Sequence, residues 1–154
     1  MIFDADNHYY EPQDCFTRFM PSDRMEEAIR VVQTEDAGRK VMVGDRPFTF
    51  LNDPFRDTTA KPGSLREMLR NMKAGLPIEE NDAIEQVQPA YRDRDARLAL
   101  MDDQGVDAMV LFPTLAVCVE HFMKENPERT YLNVHAFNRW LDEDWGFGTD
   151  GRIY

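Results

Sequence analysis

The sequence predicts an α/β fold organised around a parallel sheet, on three observations. Val106-Asp107-Ala108-Met109-Val110-Leu111-Phe112 is an almost continuous apolar run, as expected of a strand covered on both faces. It lies between two segments with helical signals, and strands that alternate with helices imply parallel pairing through crossovers. The chain also opens on an apolar run, Met1-Ile2-Phe3, that turns at once into Asp4-Ala5-Asp6-Asn7-His8, the form of a short strand ending in polar residues.

The elements follow in order. Ile2-Phe3 begins the first strand. Side chains alternate along a strand, so Asp4, Asp6 and His8 share one face if the extended form continues. Pro12 to Met20 reads as a short helix with Phe16, Phe19 and Met20 on its apolar side. Arg30-Val31-Val32 and Lys40-Val41-Met42-Val43 flank Asp36-Ala37-Gly38 and read as a hairpin with a glycine turn. Gly44-Asp45-Arg46-Pro47 is a second turn, after which Phe48, Phe50 and Leu51 continue the sheet. Residues 52–63, rich in Pro, Asp, Thr and Gly, read as loop. Ser64 caps a short helix through Asn71, with Leu65, Met68 and Leu69 on one face and Glu67 at the capping-box spacing. Residues 74–88 are polar and loosely patterned. The stretch from about 20 to 88 is therefore an excursion from the main architecture. Pro89 opens a helix that passes through Leu98, Leu100 and Met101 to Gly105, a left-handed C-cap. After the apolar strand, Asn126-Pro127-Glu128 has the cap, proline and acid of a helix start. Tyr131, Val134, Asn138, Leu141 and Trp145 fall on one stripe of that helix, with Phe137 beside it. Gly146-Phe147-Gly148 ends it, and Gly151-Arg152-Ile153-Tyr154 begins another strand.

Composition narrows the function. The 154 residues suit one domain, and 42% hydrophobic with 31% charged residues is a globular balance. Eighteen basic residues against 29 acidic ones give a net charge of −11, which repels phosphate backbones and anionic lipid. Neither nucleic acid nor a membrane surface is an expected partner. The longest apolar stretch, Ala108 to Val119, contains Pro113 and falls short of the roughly 20 residues of a membrane span. Cys15 and Cys118 lie far apart, in neither a pairing nor a zinc motif, and read as buried thiols in a reducing cytosol. No basic segment precedes an apolar run at the start, so a cytoplasmic location is expected.

Asp4, Asp6, His8 and Glu11 crowd proton- and metal-binding groups into eight positions. Asp-x-Asp-x-His at a strand's end spaces candidate ligands about 7 Å apart, from which side chains converge on one cation. Imidazole and carboxylate suit zinc, iron or manganese better than calcium. The plainer alternative is that Asp and Asn are ordinary loop residues after a strand and that Glu11-Pro12 starts the next helix.

Three segments, "FDADNHYYEP", "RDRDARLALMDDQGVDAMVLFPT" and "FNRWLDEDWGF" with "GRIY", together resemble the amidohydrolase-related family. These are metal-dependent hydrolases and decarboxylases of the amidohydrolase superfamily, built on a distorted (β/α)₈ barrel. The resemblance covers the first strand and residues 92–154. It implies that the chain is the N-terminal portion of such a TIM-barrel enzyme, with the excursion inserted. A barrel takes about 250 residues, whereas two strands and the start of a third are in view, so the chain is expected to be part of a longer protein. In that family the first strand usually ends in His-x-His, and both histidines bind the metal. The matching pair here is Asp6 and His8. Asp6 departs from the pattern, and its carboxylate favours iron or manganese somewhat over zinc. Glu11 completes that shell or orients it from outside, and Asp4 is a structural partner. The family's further ligands, a histidine of a middle strand and an aspartate of a late strand, have no candidate in this chain. Loops that follow barrel strands face the active site, which makes Pro113, Thr114 and His121 candidate substrate contacts. His135, beside Val134 and Phe137, reads as a packing residue. The implied function is hydrolysis of a C–N, C–O or lactone bond in a small molecule by water activated on one divalent metal ion. The alternatives are a non-hydrolytic decarboxylase of the same family, or a catalytically empty structural piece that forms a homo-oligomer through its apolar strand.

Overall fold

The computed structural model describes residues 1–34, 38–51, 54–76 and 84–154. Asp36 and Ala37 of the expected hairpin turn, and parts of the loops expected at 52–63 and 74–88, lie outside the described residues. The chain forms two compact units, Met1–Phe55 with Pro89–Tyr154, and Arg56–Gln88.

The first unit opens with β1 (Phe3–Tyr9), followed by an antiparallel sheet of β2 (Ile29–Thr34), β3 (Gly38–Val43) and β4 (Arg46–Pro47). The second unit holds β5 (Thr58–Ala60), α1 (Ser64–Ala74) and β6 (Ile84–Gln86), with β5 and β6 antiparallel. The chain returns to the first unit with α2 (Arg94–Gln104), β7 (Ala108–Pro113), α3 (Ala116–Met123) and α4 (Pro127–Asp144).

β1 and β7 pair in parallel from Phe3 opposite Ala108 to Tyr9 opposite Pro113. Ile153 adds a parallel bridge to Met109: Met109 N–H donates to the Arg152 carbonyl (2.8 Å) and Tyr154 N–H to the Met109 carbonyl (2.9 Å). The chain is thus mixed α/β with small sheets, and the described residues close no barrel. β1 runs farther than its apolar start suggests, because β7 offers a backbone partner as far as Pro113. Between Asp4 and Asn7 it takes three steps while β7 takes two, from Met109 to Leu111, so β1 carries one extra residue there. The even alternation expected of Asp4, Asp6 and His8 is broken by this bulge.

Other expectations give way to packing. Residues 12–20 form successive turns rather than a helix, with Cys15 N–H on the Pro12 carbonyl and Arg18 N–H on the Asp14 carbonyl. So short a segment cannot hold a helix by its own propensity, and burial of Cys15, Phe16 and Met20 sets its path. The helix expected from Pro89 starts later. A tight turn at Pro89–Tyr91 precedes it, and the Asp93 carboxylate caps α2 by accepting from Ala96 N–H (2.7 Å). At its far end Gly105 has the positive φ expected of a left-handed cap. α1 begins at Ser64, but Gly63 occupies its cap position and Ser64 makes no capping bond. Residues 58–60, read as loop, form β5, whereas Phe50 and Leu51 are exposed outside any strand.

α4 is capped by Asn126, whose side chain accepts from Arg129 N–H (3.0 Å). Its buried stripe is Asn133, Ala136, Phe137 and Trp140, while Tyr131 and Val134 are exposed. The face chosen is the one that removes the largest rings from water. Trp140, Tyr9, Phe137 and Trp145 meet at centroid separations of 5.2–6.5 Å. Met101, Met109, Leu115, Val119, Met123, Ile29 and Val43 complete the core of this unit. Asn133 fastens the hairpin to α4: its Oδ1 accepts from Ile29 N–H (2.8 Å) and its Nδ2 donates to the Glu27 carbonyl (2.9 Å). Among the described residues no helix is long and apolar enough to cross a membrane. Cys15 is buried, Cys118 half-buried, and both are free thiols.

Candidate functional site

Of the polar residues singled out in the sequence, His8, Glu11 and Thr114 lie at or just beyond the ends of β1 and β7. Met109 and Leu111 pack into the core under the helices. Their partners across the ladder, Asp4 and Asn7, are half-buried on that same side. His8 pairs with Phe112, and both rings lie on the opposite, open face with centroids 6.1 Å apart. The His8 side chain is 50% exposed, and its Nε2 stands 3.8 Å from Asp6 Oδ1. Its Nδ1 lies 3.3 Å from the Pro113 carbonyl. Protonated at Nδ1, the ring donates to that carbonyl and keeps the lone pair of Nε2 beside the Asp6 carboxylate. This is the arrangement in which a backbone carbonyl orients a metal-binding imidazole.

Asp4 stands apart from that pair. Its Oδ2 accepts from Asn7 Nδ2 (2.8 Å) and its Oδ1 from Asp6 N–H (3.1 Å). The Asn7 hydrogen bond, with the Asp6 N–H, holds the Asp4 carboxyl below its ordinary range.

Glu11 is 4% exposed and turns to α3. Its Oε1 accepts from Leu115 N–H and Ala116 N–H, each at 2.9 Å, and its Oε2 lies 3.0 Å from the same Leu115 nitrogen. It acts as a helix cap delivered from 104 residues away, at the end where the dipole favours an anion. Burial pushes its carboxyl above the ordinary value, and the Ala116 and Leu115 N–H groups pull in the other direction. Thr114, the expected substrate contact, donates its hydroxyl to the Tyr9 carbonyl (2.6 Å). The end of β1 is thus tied to the β7–α3 connection through both Glu11 and Thr114.

His121 sits in the last turn of α3, exposed, with its ring edge-on to Phe122 at 6.0 Å. His135 is exposed on α4 and lies flat on the Tyr131 ring at 5.8 Å; it is not packed among Val134 and Phe137 as expected. His135→Gln is therefore expected to leave any affinity for divalent metal unchanged and to shift stability by no more than about 0.5 kcal/mol. Metal titration and urea melts of the variant check both. Among the described residues no group of three or more His, Cys, Asp and Glu side chains is placed to hold a metal.

One residue of the site was missed in the sequence. Arg97 is 2% exposed, and its guanidinium donates to the Ala90 carbonyl (2.6 Å), Asn7 Oδ1 (2.9 Å) and the His8 carbonyl (2.8 Å). The available signal was its spacing: Arg97 and Met101 are four apart, on the one stripe of α2 that is buried.

No family model matches the sequence, and no curated protein matches it. Among solved structures, the chain superposes on an amidohydrolase from Mycobacterium avium subsp. paratuberculosis K-10 with a TM-score of 0.81 and 35% sequence identity. The match covers 99% of this chain and 41% of that one. The chain is a partial match to an amidohydrolase. The amidohydrolase resemblance read from three segments thus extends over nearly the whole of this chain, including the stretch from 20 to 88 that carried no family signal in the sequence.

Proposed function

We propose that this chain is part of a metal-dependent amidohydrolase acting on a small molecule, and that Asp6 and His8 are its first metal ligands. The carrying observation is the His8 ring, oriented by the Pro113 carbonyl at 3.3 Å with its other nitrogen 3.8 Å from the Asp6 carboxylate. One imidazole and one carboxylate, accessible on the same open face, fit iron, manganese or zinc. A divalent ion bound there would polarise a carbonyl and acidify a water molecule. Pro113 selects the His8 tautomer. Glu11, held by the start of α3, fixes the segment that follows the pair. Thr114, bound to the Tyr9 carbonyl, holds the neighbouring strand end in register. Free Cys15 and Cys118 fit a reducing, cytoplasmic setting, and the net charge of −11 argues against a nucleic acid partner.

The test is titration of the chain with Mn²⁺, Fe²⁺ and Zn²⁺ by calorimetry, beside His8→Ala and Asp6→Ala. His8→Ala is expected to abolish specific binding and Asp6→Ala to weaken it strongly. Wild-type binding in both variants would defeat the ligand assignment. Two ligands leave a cation loosely held and without a general base, so little turnover is expected of this chain alone in assays with esters, amides and lactones.

A further inference from the structure

We infer that Arg97 is the positioning residue of the Asp6–His8 pair: through Asn7 and the His8 carbonyl it holds the bulge of β1 that turns His8 to the open face. The inference rests on reading that pair as the metal site, and goes beyond it by naming the device that aims it.

The register shows what the bulge does. Asp4 stands opposite Met109, on the side covered by helices. In a regular strand Asp6 would come opposite Leu111 and His8 opposite Pro113, and His8 would point under the helices. The extra residue instead brings Asn7 opposite Leu111 and His8 opposite Phe112. A shift of one residue exchanges the faces of a strand. The bulge therefore sends His8 to the open face and places Asn7 within reach of α2. Bulges are uncommon in parallel pairs, and they leave backbone groups outside the ladder. Here Asp4 Oδ1 takes the Asp6 N–H and Asn7 Oδ1 takes the His8 N–H (2.8 Å). Asp4 and Asn7 are joined to each other as well.

Arg97 fixes that arrangement from α2. A nearly fully buried guanidinium is costly to desolvate, and among the described residues no carboxylate touches this one. Its bonds go to the Ala90 carbonyl, to Asn7 Oδ1 and to the His8 carbonyl, with the Tyr91 ring 5.4 Å beneath it. Two of its three hydrogen bonds thus end on Asn7 and His8, the residues that leave the bulge. The planar fork suits this task, because it reaches a side-chain oxygen and a backbone oxygen of adjacent residues at once.

The experiment compares wild type, Arg97→Met, Arg97→Lys and Asn7→Ala, each first checked for a cooperative melt. One readout needs no metal: the side-chain nitrogen NMR signals of His8 at pH 8.5, assigned with His8→Ala, report its tautomer. The other is Mn²⁺ affinity. Wild-type His8 is expected to favour the Nδ1–H form. In Arg97→Met it is expected to relax toward the mixture of a free imidazole, with Mn²⁺ affinity falling about 10–100-fold. Arg97→Lys is expected to recover part of both. Folded Arg97→Met with wild-type His8 signals would overturn the inference. If Arg97→Met does not fold, Asn7→Ala is read in the same way with a smaller expected effect, since it removes one of the two links and leaves the bond to the His8 carbonyl in place. If wild type binds Mn²⁺ no better than His8→Ala, the metal reading fails, and the tautomer readout still decides the role of Arg97.

Discussion

Trp140→Ala is expected to cost about 3–5 kcal/mol, the usual range for removing a large ring from a core. Trp140 is fully buried. It meets Tyr9 edge-on at 5.7 Å and Phe137 at 5.2 Å, and its indole N–H is donated to Asp144. The indole is thus, with Phe137, a contact between α4 and the end of β1, and the void left by its removal would be walled by bulky rings. Domains are stable by only about 5–15 kcal/mol in all, so the loss is a large fraction of the total. Denaturant melts followed by circular dichroism measure the loss. A cost below about 1.5 kcal/mol would show that the aromatic cluster repacks freely and that α4 is held elsewhere.

Glu11 gives the second large effect, and one that depends on pH. Glu11→Ala leaves the N–H groups of Leu115 and Ala116 without their acceptor, a loss of about 2–4 kcal/mol for two partly or fully buried donors. Glu11→Gln keeps an acceptor and is expected to cost less. The two forms of the acid separate on titration. Burial raises the folded carboxyl above its ordinary 4.5, so the native state binds the proton more tightly than the unfolded chain. The stability from this preference is fully present below about pH 4.5 and is lost as pH rises through the folded value. Wild type should therefore lose stability relative to Glu11→Gln as pH climbs from 4.5. Urea melts of both proteins across pH 4–8 give the difference directly, and a constant difference would show that the carboxyl is not perturbed.

What could be read from the sequence followed what was local and strongly patterned. Val106–Phe112 announced a strand because few of its residues can tolerate water, and β7 spans Ala108–Pro113; burial on both faces was expected, but only the Met109 side is covered and Phe112 is exposed on the other. Asn126-Pro127 announced α4 because a cap and a proline act within one turn. The face of α4 was not legible, since Tyr131–Val134 and Phe137–Trp140 make stripes of similar quality and only the partner surface chooses between them. The site shows the same division. His8 and Asp6 stood out by residue type and spacing. The bulge did not, because it arises from the pairing of β1 with a strand about 100 residues later. The surroundings of Glu11, expected either to complete the metal shell or to orient it from outside, were illegible for the same reason: Leu115 and Ala116 meet it through backbone groups that no side-chain pattern reveals.

The parallel pairing of β1 with β7 also sets the order of events during synthesis. Ile2 accepts from the Asp107 N–H, and Phe3 stands opposite Ala108, so these residues find their partners only after more than 100 further ones have been added. At about 5–20 residues per second that wait is roughly 5–20 s. Through it β1 lacks its partner strand, and Asp6 and His8 are not yet aimed. The candidate ligands are therefore made well before the strand that aims them. A cation present during translation would meet a flexible peptide, whereas one arriving afterwards would meet a formed pair. If the proposed Asp6–His8 pair binds a metal ion, loading is expected to follow folding rather than guide it.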